Sequence, residues 1–407
     1  MNHDPFKYSF NNLDDIADRI SEILQCAITI EDINHRLLAY SSHKSGTDDA
    51  RTATIIERRV PEKVINRLWK DGIIPKLLQT DNPIRIKNIE EIGLNDRVAI
   101  SIWHKQEVVG FIWALENEKN LEKDDIELLK KAAKSVKNKL LNLQARRIKK
   151  VEKSQEFFWK LLTGHVATTK EIKAGIEELL YTVPSSYSIV ILKFPHPIDE
   201  GTEKHIHYLL ETTQQVTILL STIDYNELLM FIIPKTEYPL KDIKTFLHWL
   251  DLQLGDRYSI KGVMASIGGI YQDLTNIVGS YQEAQTVLKI KEKFPTETLD
   301  LVSYSELGIY QYLDILADQR KRYGFINYSL MKLLQYDEYH NTDLVKTLEA
   351  FLDEDGNAKS AANSLKVHLN TLSYRIKRIE QIGEIDLKNI NQKMTIYLDL
   401  KIRKMTL

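Results

Sequence analysis

The sequence predicts an α+β protein of several domains: an α/β sandwich, a linking helix, a second α/β domain and an all-α C-terminal domain. Three observations predict it. The 407 residues exceed what one ordinary core encloses, so two or three domains are expected. Runs of β-branched and aromatic residues fall in two separate regions, each with helical segments around them. The C-terminal segment carries helical spacing, with two short helices joined by a tight turn.

Composition narrows the class. Apolar residues make up 43% and charged residues 28%, which is ordinary for a globular chain and too apolar for a disordered one. With 55 basic against 57 acidic side chains there is no global field toward nucleic acid or membrane, so any such contact needs a local patch. One cysteine, Cys26, excludes an internal disulfide framework and a multi-cysteine metal site; its setting suggests a buried structural thiol. Met1 to Phe10 is polar and broken by Pro5, unlike a secretion signal, and no apolar run is long enough to span a bilayer. A cytoplasmic protein is expected.

The elements of the first segment follow in order. Leu13, Ile16, Ile20, Ile23 and Leu24 have helical spacing behind Asn11 or Asn12 as N-cap. Ile28 to Tyr40 reads as two strands about the polar turn Asp32 to His35. Arg51 to Trp69 reads as helix, with Pro61 breaking it or opening its second half. Val98 to Trp103 and Val108 to Leu115 flank the short turn His104 to Glu107, a strong hairpin signal. This order, with the ending Gly110-Phe111-Ile112-Trp113-Ala114-Leu115 leading through Leu121-Glu122-Lys123-Asp124-Asp125 into a helix, resembles a GAF domain, a small-molecule sensing module. It sets the first domain at 1–133. Tyr40, Trp69, Trp103 and Trp113 are candidates to line a pocket, and Arg97 to pair with a ligand carboxylate.

From Lys123 a helix runs without a breaker to Leu143 or beyond, and 134–156 is assigned as the link. Ile126, Leu129, Ala133, Val136, Leu140 and Leu143 alternate steps of three and four. Such a seam fits either a paired helix or one lying on its own domain. The basic run Arg146-Arg147-Ile148-Lys149-Lys150 reads as a solvated face.

Over 157–305, strands at Ser188 to Leu192, Glu227 to Ile233 and Ser259 to Ile267 alternate with helices at Glu203 to Thr213, Leu240 to Leu254 and Leu274 to Lys289. The string Ser266-Ile267-Gly268-Gly269 and the later Ser280-Tyr281-Gln282-Glu283-Ala284 resemble the GGDEF-like domain of PucR/CdaR-type regulators. A working diguanylate cyclase would need a glycine turn against the nucleotide and acidic side chains for magnesium. The equivalent hairpin reads Asp224-Tyr225-Asn226-Glu227-Leu228, without the glycines and with an amide at the central acid. The domain is therefore expected to be non-catalytic, no catalytic or metal-binding residues are assigned, and no cofactor is expected. A cyclase fused to a sensor is the alternative. There is no phosphate loop, dinucleotide fingerprint, His-Glu-x-x-His or Gly-x-Ser-x-Gly elbow, and His205 and His207 diverge on their helix.

The segment 306–407 carries the sharpest signal. A helix from Asp343 to Leu352, a stop at Asp355-Gly356-Asn357, a helix from Ala358 to Leu365, a break at Lys366 to Leu369 and a third helix ended by Gly383 make a helix-turn-helix. Asn357 and Asn370 read as caps, and Lys366 sits where a turn glycine is common. In the third helix Leu372, Ile376 and Ile379 face inward, while Thr371, Tyr374, Arg375 and Arg378 share another face. Between Asp355 and Gly383 five Lys/Arg stand against two acidic residues, a local net charge of +3. The string Val367-His368-Leu369-Asn370-Thr371-Leu372-Ser373-Tyr374-Arg375-Ile376-Lys377-Arg378-Ile379 closely resembles the C-terminal helix-turn-helix of the PucR/CdaR family. The resemblance continues through Gly383-Glu384-Ile385-Asp386-Leu387 and the closing helix Gln392 to Lys404. It implies a DNA-binding transcriptional regulator, often an activator of a catabolic operon induced by a nutrient such as an amino acid or purine product. His368, Asn370, Thr371, Tyr374, Arg375, Lys377 and Arg378 are the expected DNA contacts, double-stranded operator DNA and a small-molecule effector the expected partners, and a homodimer the expected assembly.

Overall fold

In the computed structural model, residues 6, 12–42, 47–116 and 119–406 are described. Asn11, one of the two caps considered, lies outside them, as does Met1 to Phe10 apart from Phe6. The elements are α1 (Leu13–Leu24), β1 (Ile28–Asp32), β2 (Leu37–Tyr40), α2 (Asp49–Glu57), α3 (Glu62–Lys70), α4 (Ile73–Leu77), β3 (Ile84–Ile86), β4 (Arg97–His104), β5 (Glu107–Leu115) and α5 (Lys123–Leu162). They continue with α6 (Thr169–Glu178), β6 (Ser188–Lys193), α7 (Glu200–Thr212), β7 (Thr217–Asp224), β8 (Glu227–Ile233), α8 (Pro239–Tyr258), β9 (Met264–Ile267) and α9 (Ile277–Lys293). The last are α10 (Leu313–Tyr323), α11 (Tyr328–His340), α12 (Leu344–Asp353), α13 (Ala358–Ser364), α14 (Leu369–Gly383) and α15 (Ile390–Thr406). The α+β class is as the sequence predicts. By contacts the chain divides into two compact units, one of 1–188, 192–263 and 270–278, the other of 189–191, 264–269 and 279–407. No described helix is long and apolar enough to cross a membrane.

In the first unit a five-stranded sheet, ordered β2-β1-β5-β4-β3, carries helices on its faces. Asn12 caps α1, its side chain accepting from the Asp15 amide at 2.7 Å. Pro61 is the residue before α3, so it opens a second helix rather than bending one. Up to Leu140 the α5 seam settles onto its own domain, with Leu129, Ala133, Val136 and Leu140 buried with Ile16, Ile20, Ile28 and Ile112 in one core, while Leu143 is 42% exposed. Cys26 is 3% exposed in that core, and burial pushes its thiol up to about 12.

The same unit holds α7, which is tied to the first domain by polar contacts. Glu211 pairs with Arg36 and, at 2.7 Å, with Arg147; Lys204 meets Glu107 at 2.6 Å, and the Gln214 amide donates to Glu62 at 2.7 Å. His205 stacks on Tyr258 with ring centroids 3.9 Å apart, and His207 faces Glu203, so the two diverge as their helical placement requires.

A four-stranded sheet has the order β7-β8-β6-β9. Two strand expectations change here. The strand expected over Ser259 to Ile267 is reduced to Met264–Ile267, because α8 runs on to Tyr258 and Gly262 takes a φ of +77°. The partner strand β7 was not anticipated; its Thr, Ser and Asp dilute the apolar signal.

In the second unit the Ser-Ile-Gly-Gly string is explained by packing. A Cβ on Gly268 would stand 2.0 Å from the carbonyl oxygen of Ser280, so only glycine lets the strand end approach α9. Ser280 Oγ donates to the Gly269 carbonyl at 2.9 Å and Glu283 accepts from the Gly269 amide at 2.6 Å, which closes the joint. The C-terminal helices share a core of Leu333, Leu348, Ile379, Ile396 and their neighbours.

Candidate nucleic-acid interface and candidate effector cavity

The helix-turn-helix is α13, a four-residue connection and α14. Asn357 caps α13 by accepting from the Lys359 and Ser360 amides. Ala361 and Ala362, buried against Leu372, let α14 approach closely. Lys366 takes a φ of +55°, the left-handed turn conformation that usually selects glycine. One expectation is corrected: the cap of α14 is His368, whose Nδ1 accepts from the Asn370 amide at 3.2 Å, and Asn370 is already inside the helix. An N-cap needs extended backbone and an acceptor within reach, and His368 has both.

The faces of α14 separate as its spacing predicts. Leu372 and Ile379 are fully buried and Ile376 is half-buried. His368, Asn370, Thr371 and Lys377 are exposed, and Tyr374 is 69% exposed. Arg375 and Arg378 are half-buried: Arg375 donates to Thr347 Oγ1 at 3.2 Å, and Arg378 donates to the Tyr336 hydroxyl at 3.1 Å while lying over its ring. Both guanidiniums are thus oriented by α12 or α11, with donors to spare for an outside acceptor.

In the middle domain the catalytic remnant is occupied by structure. Tyr225 and Asn226 form the two-residue turn between β7 and β8, with Tyr225 at a φ of +52°. The Asn226 amide donates to the Phe194 carbonyl at 2.7 Å, and Glu227 faces Lys193 at 3.8 Å. An amide spent on a backbone carbonyl, beside a carboxylate facing a lysine, offers no dianionic cradle for magnesium.

A second site lies in the first domain. Thr29, Glu31, His35, Arg51, Arg97 and Trp113 give the polar part of a cavity walled by Val60, Val64, Leu68 and Leu94. Its volume is about 20 Å³, room for about one water. Of the five residues offered as ligand contacts, Arg97 and Trp113 line it. Trp69 stands two hydrogen bonds away, through Tyr208 to the lining residue His35, Tyr40 lies under Arg58, and Trp103 donates to the Thr80 carbonyl at 3.3 Å. Arg97 is 8% exposed and already holds a carboxylate, that of Asp48, which also accepts from the Arg51 amide at 2.8 Å. Arg51 is 7% exposed and donates to the Ser41 carbonyl at 2.9 Å, yet its Nε finds no acceptor among the described residues. Burial lowers the pKa of both arginines, opposed by Asp48.

Sequence reasoning missed Arg51, Glu31 and His35. Glu31 had a readable signal, a charge on the Thr29 face of a strand whose other face begins with Ile28 and Ile30. The pairing of β1 with β5, Thr29 opposite Trp113 and Glu31 opposite Phe111, brings it to the cavity.

Comparison with known proteins agrees with this architecture. The PucR C-terminal helix-turn-helix domain matches residues 344–402, and a GGDEF-like domain matches 163–290. The chain is 56% identical over its whole length to the DNA-binding transcriptional activator AdeR of Bacillus subtilis (strain 168), covering 96% of that protein. The chain belongs to the PucR/CdaR family. It is also 31% identical over 98% of its length to the proline-responsive transcriptional activator PutR of the same organism, again covering 98% of the relative. The carbohydrate diacid regulator of Escherichia coli (strain K12) is 25% identical over 34% of the chain and 34% of that protein. Relatives named as activators favour a regulator over a cyclase, in line with the degenerate turn at Asn226.

Proposed function

We propose that this protein is a metabolite-responsive activator of transcription, working in the cytoplasm as a homodimer, with a GAF-like sensor (1–133), a linking helix (134–156), a non-catalytic GGDEF-like domain (157–305) and a DNA-binding domain (306–407). The observation that carries the reading is the exposed N-terminal half of α14. Asn370, Thr371 and Tyr374 stand in solvent while Leu372 and Ile379 hold the helix to its body. Amide, hydroxyl and guanidinium groups on such a face suit base edges and phosphates of a major groove. Two copies would place two such helices about 34 Å apart for two half-sites. The effector is proposed to enter the cavity at Arg51 and Arg97. A relative named as proline-responsive supports an amino acid as its class.

Gel-shift titration on the intergenic DNA beside its own gene tests the DNA part. Arg375→Ala is expected to weaken binding by roughly tenfold or more, the scale of one lost bidentate contact, with the thermal melt little changed. Equal binding by the variant would refute the assigned face.

A further inference from the structure

The cavity is wired to α7. The Trp69 indole N–H donates to the Tyr208 hydroxyl at 2.7 Å, and Tyr208 is 3.1 Å from His35 Nε2. On the other side His35 Nδ1 is 3.2 Å from Glu31 Oε2, which also accepts from the Trp113 indole N–H at 2.9 Å. Since the carboxylate accepts only, His35 Nδ1 is the donor there, and in the neutral ring Nε2 is the acceptor for the Tyr208 O–H. In that tautomer every donor in the chain points one way, from Trp69 through Tyr208 and His35 to Glu31. His35 is 1% exposed and stacks on Phe111, ring centroids 5.2 Å apart, so it cannot find water if a partner leaves. Burial also raises the Tyr208 pKa, so the hydroxyl keeps its proton.

We propose that the cavity takes a compact zwitterion, its carboxylate at Arg51 and its ammonium at Glu31, and that His35 carries occupancy to Tyr208 on α7. The proposal rests on the reading of this cavity as the effector site, and adds the ligand's two charges and the path of the signal. Of the cavity's lining, Arg51 Nε is a buried donor without an acceptor among the described residues. Among the described residues His35 and Trp113 both meet Glu31 at Oε2, so Oε1 is the place for an ammonium. An ammonium there draws the carboxylate from His35. The tautomer that makes Nε2 an acceptor then loses its support, and the Tyr208 hydrogen bond to α7 is released. A volume of about 20 Å³ must widen for any such occupant, which disfavours a purine and favours the smallest amino acids.

Hydrogen exchange of the full-length protein, followed by mass spectrometry with glycine, L-alanine or L-proline as probes, tests this. At least one is expected to slow exchange in 49–57 and to change it in 200–212, whereas propionate and ethylamine at equal concentration do neither. Glu31→Gln, which keeps an oxygen for Trp113, should raise the half-saturating concentration by roughly tenfold, as for a lost charge-assisted bond. Tyr208→Phe should keep the protection at 49–57 and lose the response at 200–212. No protection at 49–57 with any of the three overturns the site, and propionate acting as well as the amino acids overturns the role of Glu31. A Tyr208→Phe protein that responds at 200–212 like the wild type overturns the relay. Failure of DNA binding in the gel shift leaves these exchange results standing, so the two readings fail separately.

Discussion

The exposed face of α14 and the cavity of the first domain use the same side chain, arginine, in opposite ways. On α14 the guanidiniums of Arg375 and Arg378 donate to Thr347 and Tyr336 while the neighbouring Thr371, Tyr374 and Lys377 stay open to solvent. In the cavity Arg51 and Arg97 are less than a tenth exposed and answer to Asp48 and to backbone carbonyls. The difference teaches where function can be separated from folding. A surface cation can be removed with little harm to the fold, because water replaces its partner. A buried one cannot, because its counter-charge is then left without compensation.

That contrast can be broken first at Arg97. Arg97→Ala leaves Asp48 in the interior and is expected to cost about 3–5 kcal/mol, read as a lowered urea midpoint. A loss below about 1 kcal/mol would place Arg97 among the dispensable surface cations instead. Glu211 is the intermediate case, more than a quarter exposed and held by Arg36 and Arg147. Burial works against its charge, but Arg147 and Arg36 outweigh that and hold its pKa below the ordinary carboxylate value. Its folded pKa is therefore the lower one, so its stabilisation is complete above the unfolded value and lost as pH falls through the folded one. Glu211→Gln should destabilise the protein at pH 7 by about 1–2 kcal/mol, and the gap to wild type should close in acid. A gap constant from pH 7 to pH 3 would argue that charge is not the cause. The smallest effect on stability is expected at Tyr374. Tyr374→Ala should change stability by less than about 0.5 kcal/mol while lowering affinity for operator DNA, and a large shift in melting would show that its ring is packed.

The same contrast explains what the sequence disclosed. The second helix of the helix-turn-helix is written in one stretch of thirteen residues, Val367 to Ile379, where helical spacing alone assigns Leu372 and Ile379 to the core and Tyr374 to solvent. Its cap was misplaced by two residues because asparagine is the commoner cap and histidine can serve only if its ring nitrogen is unprotonated. The cavity is assembled from β1, α2, α3, β4 and β5, and its outlet is a tyrosine more than 170 residues from His35. Arg97 and Trp113 could be suspected as unusual residues on strands, whereas nothing in the order of residues pairs His35 with Tyr208. The middle domain lies between these extremes. Its glycine pair was legible as a mark, but the reason, contact with the Ser280 backbone, needs coordinates.

One further consequence comes from α5, which covers Lys123–Leu162 with neither glycine nor proline along its 40 residues. At 1.5 Å per residue that is a shaft of about 60 Å. Its front half is clamped by the core of the first domain through Leu129, Val136 and Leu140, while Phe158 and Leu161 near its far end are equally enclosed. A shaft enclosed at both ends and free of glycine and proline has no built-in kink site. Adding one residue between the two enclosed ends would turn one buried face by about 100° against the other, so both packings together fix the length of the rod and its angular phase.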